Sequence, residues 1–372
     1  KINRIPFLQI LINEYAKYPF ETIYILAGFR GNLIYKKFNN KFANFIKIKC
    51  FIEKKSLGTA GALRVLRNRI KNDFLVVNGD SYIDLKLHNI FNKKNKRHQI
   101  FLTNNKNYKS NKMLSNLSIG SKKNIKLKNN GNLMNAGVYF FKKNIFNLIK
   151  NNSFSLEKEI LPKLIKKNKI EGEFKNKYFI DIGTEKNLLF ARKTLTKYLT
   201  RPAAFLDRDG VINYDYGYVS SIKRFNFKKG VIKALNYLLL KKYNIFVITN
   251  QAGIAKGKFT LANFFKLQKE IKFILNKKKI NFSDVKFCPF HKDGIVKKFR
   301  KNSVMRKPNN GMILQLFKTW HIDKKNSFFI GDQKSDKMCA KKSNIYFEYV
   351  QNDIVKQVEK IIKNKDIKKI KI

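Results

Sequence analysis

Four short polar clusters punctuate the second half of a 372-residue chain. Asp207-Arg208-Asp209-Gly210 closes the apolar run 203–206, and Thr249-Asn250-Gln251 closes the run 245–248. Arg306-Lys307-Pro308 comes later, followed by Gly331-Asp332 and Asp336 after the run 328–330. If the apolar runs are parallel strands, the clusters share the carboxyl edge of one sheet, where ligands of α/β folds bind. Asp207, Asp209 and Asp332 would then converge. Three unpaired carboxylates repel, and a hard cation relieves them; oxygen-only ligands favour Mg²⁺. Thr249 can hydrogen-bond a phosphoryl oxygen and Lys307 can neutralise another, so the set suits phosphate chemistry.

The elements that must position these residues fall into two successive α/β patterns. In the first, 22–27, 45–51 and 74–77 read as strands, with helices at 58–70 and 85–96. Such alternation predicts a mostly parallel sheet. Residues 103–133 are polar and Asn/Lys-rich, and read as a surface excursion or irregular hairpin. A strand at 133–141 and helices at 156–167 and 186–199 follow. The second pattern has strands at 203–206, 245–248, 285–288 and 328–330, with helices at 229–241 and 261–276. Arg201-Pro202 marks the junction, because Pro breaks helices. The expected domains are 1–198 and 203–364, with a linker at 199–202 and a basic tail at 365–372.

Composition narrows the class. Hydrophobic residues make up 44 % of the chain, too many for a disordered protein. No run approaches 18 apolar residues, so no membrane span is expected. No signal peptide is read, and Cys50, Cys288 and Cys339 cannot pair evenly; a reducing cytoplasm is the expected location. The net charge of +55 invites a nucleic-acid reading. However, 68 lysines stand against 12 arginines and are spread along the whole chain. Asn, Ile and Phe are also abundant, so a drift of the whole composition accounts for the charge better than a polyanion surface does.

The four ordered clusters resemble the haloacid-dehalogenase superfamily of aspartyl phosphatases. The resemblance implies that Asp207 is the nucleophile and that Asp209 is the general acid and base. It implies that Asp207, Asp332 and the backbone carbonyl of Asp209 hold Mg²⁺. The segments 209–221 (DGVINYDYGYVSS), 249–260 (TNQAGIAKGKFT), 288–291 (CPFH) and 306–312 (RKPNNGM) narrow it to the heptose 1,7-bisphosphate 7-phosphatase branch. There Arg306 and Lys307 would contact the substrate phosphate, with Asn250 and Gln251 nearby. Histidinol-phosphate phosphatases are close siblings. Members of the branch often carry a structural zinc in a Cys-x-His…Cys-x-Cys loop. Here Cys288 is followed two residues on by Phe290, and the later pair aligns with Ser303 and Met305. Cys288 and His291 cannot close a four-ligand site, so zinc is not expected.

In the first half, Leu57–Leu63 (LGTAGAL), Asn78-Gly79-Asp80, Asn135-Ala136-Gly137 and Asp181-Ile182-Gly183-Thr184 occur in an order that resembles sugar-1-phosphate nucleotidyltransferases of the heptose/mannose-1-phosphate guanylyltransferase type. The resemblance implies that Asp80 and Asp181 hold Mg²⁺. Gly58, Thr59 and Gly61 would line the nucleotide side, and Asn135, Gly137 and Glu157 would face the sugar. The family's G-G-x-G-T-R loop and P-K-P lysine are not in this sequence, which opens at Lys1. The sequence is then a fragment, or this half has lost catalysis; no nucleotidyl transfer is expected from the chain as given.

Together these readings predict two Rossmann-like α/β domains, a mixed nucleotidyltransferase-type sheet followed by a parallel phosphatase-type sheet. The expected partners are a small sugar phosphate, and a nucleotide in the N-terminal half. Neither a membrane nor a nucleic acid is expected. A heptose 7-phosphatase joined to a heptose-1-phosphate nucleotidyltransferase would carry consecutive steps toward surface polysaccharide. A histidinol-phosphate phosphatase, a nucleic-acid phosphatase and a non-catalytic sugar-phosphate scaffold are the competing readings.

Overall fold

A computed structural model describes residues 1–92, 97–104, 117–127, 131–150 and 154–370. Parts of the sequence-expected helix 85–96 and of the excursion 103–133 lie outside the described residues. The chain forms two compact units that do not follow chain order. One comprises residues 22–41 and 47–192, the other residues 1–21, 42–46 and 193–372.

In the first unit the strand Met134–Phe141 is buried along its whole length. It runs antiparallel to both neighbours, Phe74–Val77 and His98–Thr103. Ile170–Phe174 then adds in parallel to His98–Thr103. The sheet is therefore mixed, not mostly parallel. Among the described residues between His98–Thr103 and Met134–Phe141 is the short antiparallel pair Leu117–Ile119 and Ile125–Leu127. Thr22–Ala27 pairs in parallel with Ile46–Ile52. The helix expected over 58–70 is shorter, Gly58–Arg64. A small antiparallel pair, Ser81–Ile83 with Phe179–Asp181, completes the unit.

The second unit holds a five-stranded, all-parallel sheet. Its spatial order is Asp284–Cys288, Asn244–Asn250, Arg201–Leu206, Ile322–Gly331, Tyr346–Tyr349. Residues 203–206, 245–248 and 328–330 are continuously apolar because both faces of the sheet are covered there. Alternate residues serve the two faces. Ala204, Leu206, Ile245, Val247, Phe328 and Ile330 pack into one core. Ala203, Phe205, Phe246, Ile248 and Phe329 pack into the other. Pro202 is inside the strand rather than in a linker, with an irregular register between Pro202 and Ala204. The helix Glu185–Leu199 ends just before it. The final helix, Ile354–Ile370, continues into the expected basic tail. The chain moves from Arg201–Leu206 outward to one side, then returns to build the other side from Ile322–Gly331. That reversal places a crevice at the carboxyl ends of these two strands.

Residues from the chain's start complete this unit. Phe45, 4 % exposed, packs edge-on against Phe264 and Phe265, with ring centroids 5.7 and 5.1 Å apart. Lys272 donates from Nζ to the carbonyls of Ala16 (2.9 Å) and Asn44 (2.6 Å). Burial pushes its pKa down to about 7, against the pull of Asp284. Between about pH 7 and the ordinary lysine range, the unfolded chain therefore binds a proton that the folded chain does not. Stability contributed at this site must rise with pH across that window, by on the order of a few kcal/mol. Urea unfolding at pH 6.5 and pH 9.5 should show the native chain gaining stability relative to Lys272→Met. Parallel pH profiles for the two proteins would refute the assignment.

Candidate active site

The crevice at the strand reversal collects the polar clusters. Asp207 follows Arg201–Leu206 and Asp332 follows Ile322–Gly331. Asp336 lies in the first turn of the helix Lys334–Lys342, whose start is closed by a reciprocal box between Gln333 and Asp336. Asp207, Asp332 and Asp336 each present a carboxylate oxygen within 4.8 Å of the others. Gly210 lets the loop after Asp207 approach this cluster. Its φ is +81°, and a Cβ there would fall 2.4 Å from Asp332 Oδ2.

Lys307 lies among these carboxylates. Its Nζ is 2.9 Å from Asp207 Oδ2 and 2.6 Å from Asp336 Oδ1, and it donates to Ile248 O at 2.8 Å. The side chain is only 1 % exposed. Burial works against its charge, but the two carboxylates more than compensate and raise its pKa. Asn250 aims the lysine through the backbone: Oδ1 accepts from Lys307 N and Nδ2 donates to Lys307 O, both at 3.1 Å.

Burial pushes the Asp207 carboxyl up to about 7; Lys307 opposes the shift, while Asp336 and Asp209 add to it. Asp332 is also raised, chiefly by burial. Its Oδ1 is buried with no hydrogen-bond partner among the described residues. Three crowded carboxylates and one orphaned oxygen, with a single lysine between them, fit a divalent cation of the Mg²⁺ type. Such a cation would favour the ionised form of each carboxylate.

The carboxylate that joins Asp207 and Asp332 is Asp336 rather than Asp209. Asp209 is held elsewhere: Arg208, Asn213 Nδ2 (3.0 Å) and Gln251 Nε2 (3.0 Å) all donate to its carboxylate. Gln251 Nε2 also donates to Thr249 Oγ1 at 2.8 Å, linking two of the motifs. Arg306 is half-buried, with Nη1 3.5 Å from Phe290 O. Sequence reasoning names Asp336 after Asp332 but does not place it in the metal site; the first turn of Lys334–Lys342 brings it there. Nothing in the sequence shows that Arg208 is buried.

The loop after Cys288 is held by the chain itself. His291 N donates to Phe299 O (3.2 Å) and Lys301 N to His291 O (3.1 Å). Phe290 and Phe299 lie 6.1 Å apart, and Lys301 Nζ sits 4.3 Å from the Phe290 ring centre. Phe290 and Met305 pack on one core and Phe299 on the other. Burial raises the Cys288 thiol pKa.

In the other unit, Ser81 Oγ donates to Asp181 Oδ2 at 2.9 Å and lies 3.2 Å from Asp80 Oδ1, so Asp80 and Asp181 share one locus. Gly183 N donates to Asp181 Oδ1 at 2.9 Å. Thr59 Oγ1 donates to Glu157 Oε2 (2.8 Å) and accepts from Leu156 N (2.8 Å). Asn135 Nδ2 donates to the Tyr139 hydroxyl (2.6 Å), which donates to Glu157 Oε1 (3.2 Å). Asn135 Oδ1 accepts from Gly137 N at 2.9 Å. Tyr139, unremarkable in sequence, is the fully buried centre of this network. Gly58 has φ +65°, and a Cβ there would overlap the Phe154 carbonyl at 2.2 Å. Gly61 is buried within the same short helix.

Family matches make the second half of the chain a haloacid-dehalogenase-like phosphatase region that follows a nucleotidyltransferase region. A family model described as nucleotidyl transferase matches residues 2–198, and one described as polynucleotide kinase 3 phosphatase matches residues 211–367. A D-glycero-beta-D-manno-heptose-1,7-bisphosphate 7-phosphatase of Rhodopseudomonas palustris is 43 % identical over 162 residues, covering 42 % of this chain and 90 % of the relative. Its counterpart from Escherichia coli K12 is 41 % identical over 144 residues, covering 39 % of this chain and 75 % of the relative. A solved D,D-heptose 1.7-bisphosphate phosphatase from B. bronchiseptica, complexed with magnesium and phosphate, is 20 % identical with a TM-score of 0.40, covering 44 % of this chain and 99 % of that one. The chain thus belongs to the nucleotidyl transferase family through its first half, and to the D-glycero-beta-D-manno-heptose-1,7-bisphosphate 7-phosphatase family through its second. Among the described residues, no helix is long and apolar enough to cross a membrane.

Proposed function

We propose that the chain is a Mg²⁺-dependent phosphomonoesterase that removes the 7-phosphate of D-glycero-D-manno-heptose 1,7-bisphosphate. The observation that carries this reading is the Asp207–Asp332–Asp336 cluster, with Lys307 between Asp207 and Asp336, in a chain that over 162 residues is 43 % identical to a phosphatase named for that substrate. An Asp207 oxygen bonds to phosphorus as the bond from phosphorus to the sugar oxygen breaks. The electron pair leaves on that oxygen, which takes a proton from Asp209. Water then attacks the aspartyl-phosphate and gives its proton to Asp209; phosphate departs and Asp207 is restored. Mg²⁺, held by Asp207, Asp332 and the Asp209 carbonyl with Asp336 beside them, would neutralise charge on the transferring group. Lys307 adds a fixed positive charge, Thr249 a hydroxyl donor, and Arg306 a cation at the rim.

The segment proposed for this hydrolysis is 203–364, and 1–198 is the segment related to nucleotidyltransferases, from which no transfer is expected in the chain as given. In the latter, Asp80 and Asp181 are the candidate metal ligands. Gly58, Thr59 and Gly61 are the candidates for the nucleotide side, and Asn135, Gly137 and Glu157 for the sugar. The polynucleotide reading has the +55 charge and one family model behind it. Relatives at about 40 % identity that are named for a sugar bisphosphate outweigh it. The test is phosphate release by the purified chain with Mg²⁺ from the heptose bisphosphate, from histidinol phosphate and from a 3′-phosphorylated oligonucleotide. The bisphosphate should be hydrolysed fastest. Faster release from either of the others would reassign the substrate.

The same preparation tests the packed loop 288–306. Zinc should be well below one per chain, and a zinc chelator that spares Mg²⁺ should leave turnover unchanged. One tightly held zinc per chain, or inactivation by the chelator, would contradict the two-ligand argument.

A further inference from the structure

We propose that Arg208 is a positioning residue for catalysis, a latch that sets the orientation of the Asp209 carboxylate; this rests on the proton-transfer role given to Asp209 above. The residue between the two aspartates is 3 % exposed. Its guanidinium forks onto its own neighbour: Nε is 3.1 Å from Asp209 Oδ1, and Nη2 is 2.8 Å from both Oδ1 and Oδ2. Nη2 also donates to Val219 O at 2.9 Å, and the group stands 5.6 Å from the centre of the Phe264 ring. Arg208 therefore ties Asp209 to the loop that ends at Val219 and to the helix Leu261–Lys277.

Packing alone would not call for this residue. Taking a guanidinium out of water is costly unless all its donors are met. Nη1 is buried with no hydrogen-bond partner among the described residues. An apolar side chain would fill the space between Val219 and Phe264 without that cost. What an apolar side chain cannot do is hold both oxygens of a carboxylate. Gln251 and Asn213 each make one contact with Asp209, and a carboxylate held by these two alone could turn about χ2. Proton transfer depends on such alignment: an acid misplaced by about 1 Å can lose about 10²-fold in rate.

The experiment compares two substrates in the first turnover, so that later hydrolysis of the aspartyl-phosphate does not limit the signal. The heptose bisphosphate has an alkoxide leaving group that needs a proton, and 4-nitrophenyl phosphate has one that does not. Arg208→Met should slow first-turnover release of the sugar by roughly 10–100-fold, and release of nitrophenolate by less than about threefold. Asp209→Asn, run in parallel, should show the same selectivity with a larger loss, about 10²–10⁴-fold. If Asp209→Asn slows both substrates equally, the proton-transfer reading fails and the latch with it. If Asp209→Asn is selective while Arg208→Met slows both equally or neither, the latch alone is overturned. Should Arg208→Met not fold, the double variant Arg208→Met/Asp209→Asn, which removes both halves of the ion pair, decides. It should match Asp209→Asn on both substrates; a further loss on the sugar substrate would overturn the proposal.

Discussion

Asp207→Asn is expected to lower turnover of the heptose bisphosphate by at least about 10³-fold, on the scale seen when a catalytic nucleophile is removed. An amide oxygen does not attack phosphorus, so no aspartyl-phosphate forms. The amide also removes one of the three carboxylates that crowd within 4.8 Å. The fold should survive, because the substitution is nearly isosteric and relieves repulsion from Asp336 as it weakens the contact with Lys307. A thermal midpoint within about 5 °C of the parent would correspond to about 1–2 kcal/mol. Retention of more than a few per cent of turnover would remove Asp207 from the nucleophile's role.

Lys307→Met should damage both function and stability, and that pairing distinguishes it from Asp207→Asn. The methionine has similar length but no charge. Asp207 and Asp336, which now lie 2.9 and 2.6 Å from the ammonium, would face each other in the buried crevice with no cation between them. Breaking a buried charge pair by removing one partner costs about 3–5 kcal/mol. In a unit of this size that is a fall of roughly 10 °C in thermal midpoint. Turnover should fall by about 10²–10³-fold, as expected for loss of a preorganised positive charge at a transferring phosphoryl group. Added Mg²⁺ should recover part of the stability and little of the turnover. A variant as stable and as active as the parent would mean that the two carboxylates do not depend on Lys307.

Much of the catalytic outline follows from local sequence. An apolar run that ends in Asp207, another that ends in Thr249 and a third that ends in Asp332 can hardly lie anywhere but at one edge of a parallel sheet. Burial of both faces forces the continuous hydrophobicity, and the first polar residue marks where each strand emerges. Asp336, in the first turn of Lys334–Lys342, is not assigned to the site by that logic.

Tertiary structure decided what depends on partners far apart in the chain. Arg208 has the sequence profile of an exposed charge, and only the walls formed by Val219 and Phe264 enclose it. Because Arg208, Asn213 and Gln251 claim the Asp209 carboxylate, the acidic trio is completed by Asp336 instead. Lys307 sits outside any strand or helix, and its place is set by Asn250, 57 residues earlier. Phe45 reads as the first residue of a strand, yet it is buried among Phe264, Phe265 and Phe287, more than 200 residues away. The antiparallel course of Met134–Phe141 was equally hidden, since an apolar strand looks the same in either direction. Local patterning records which residues must leave water and at what period. It does not record which distant segment covers them, because hydrophobic burial is non-directional and partner choice depends on the packing of the whole unit.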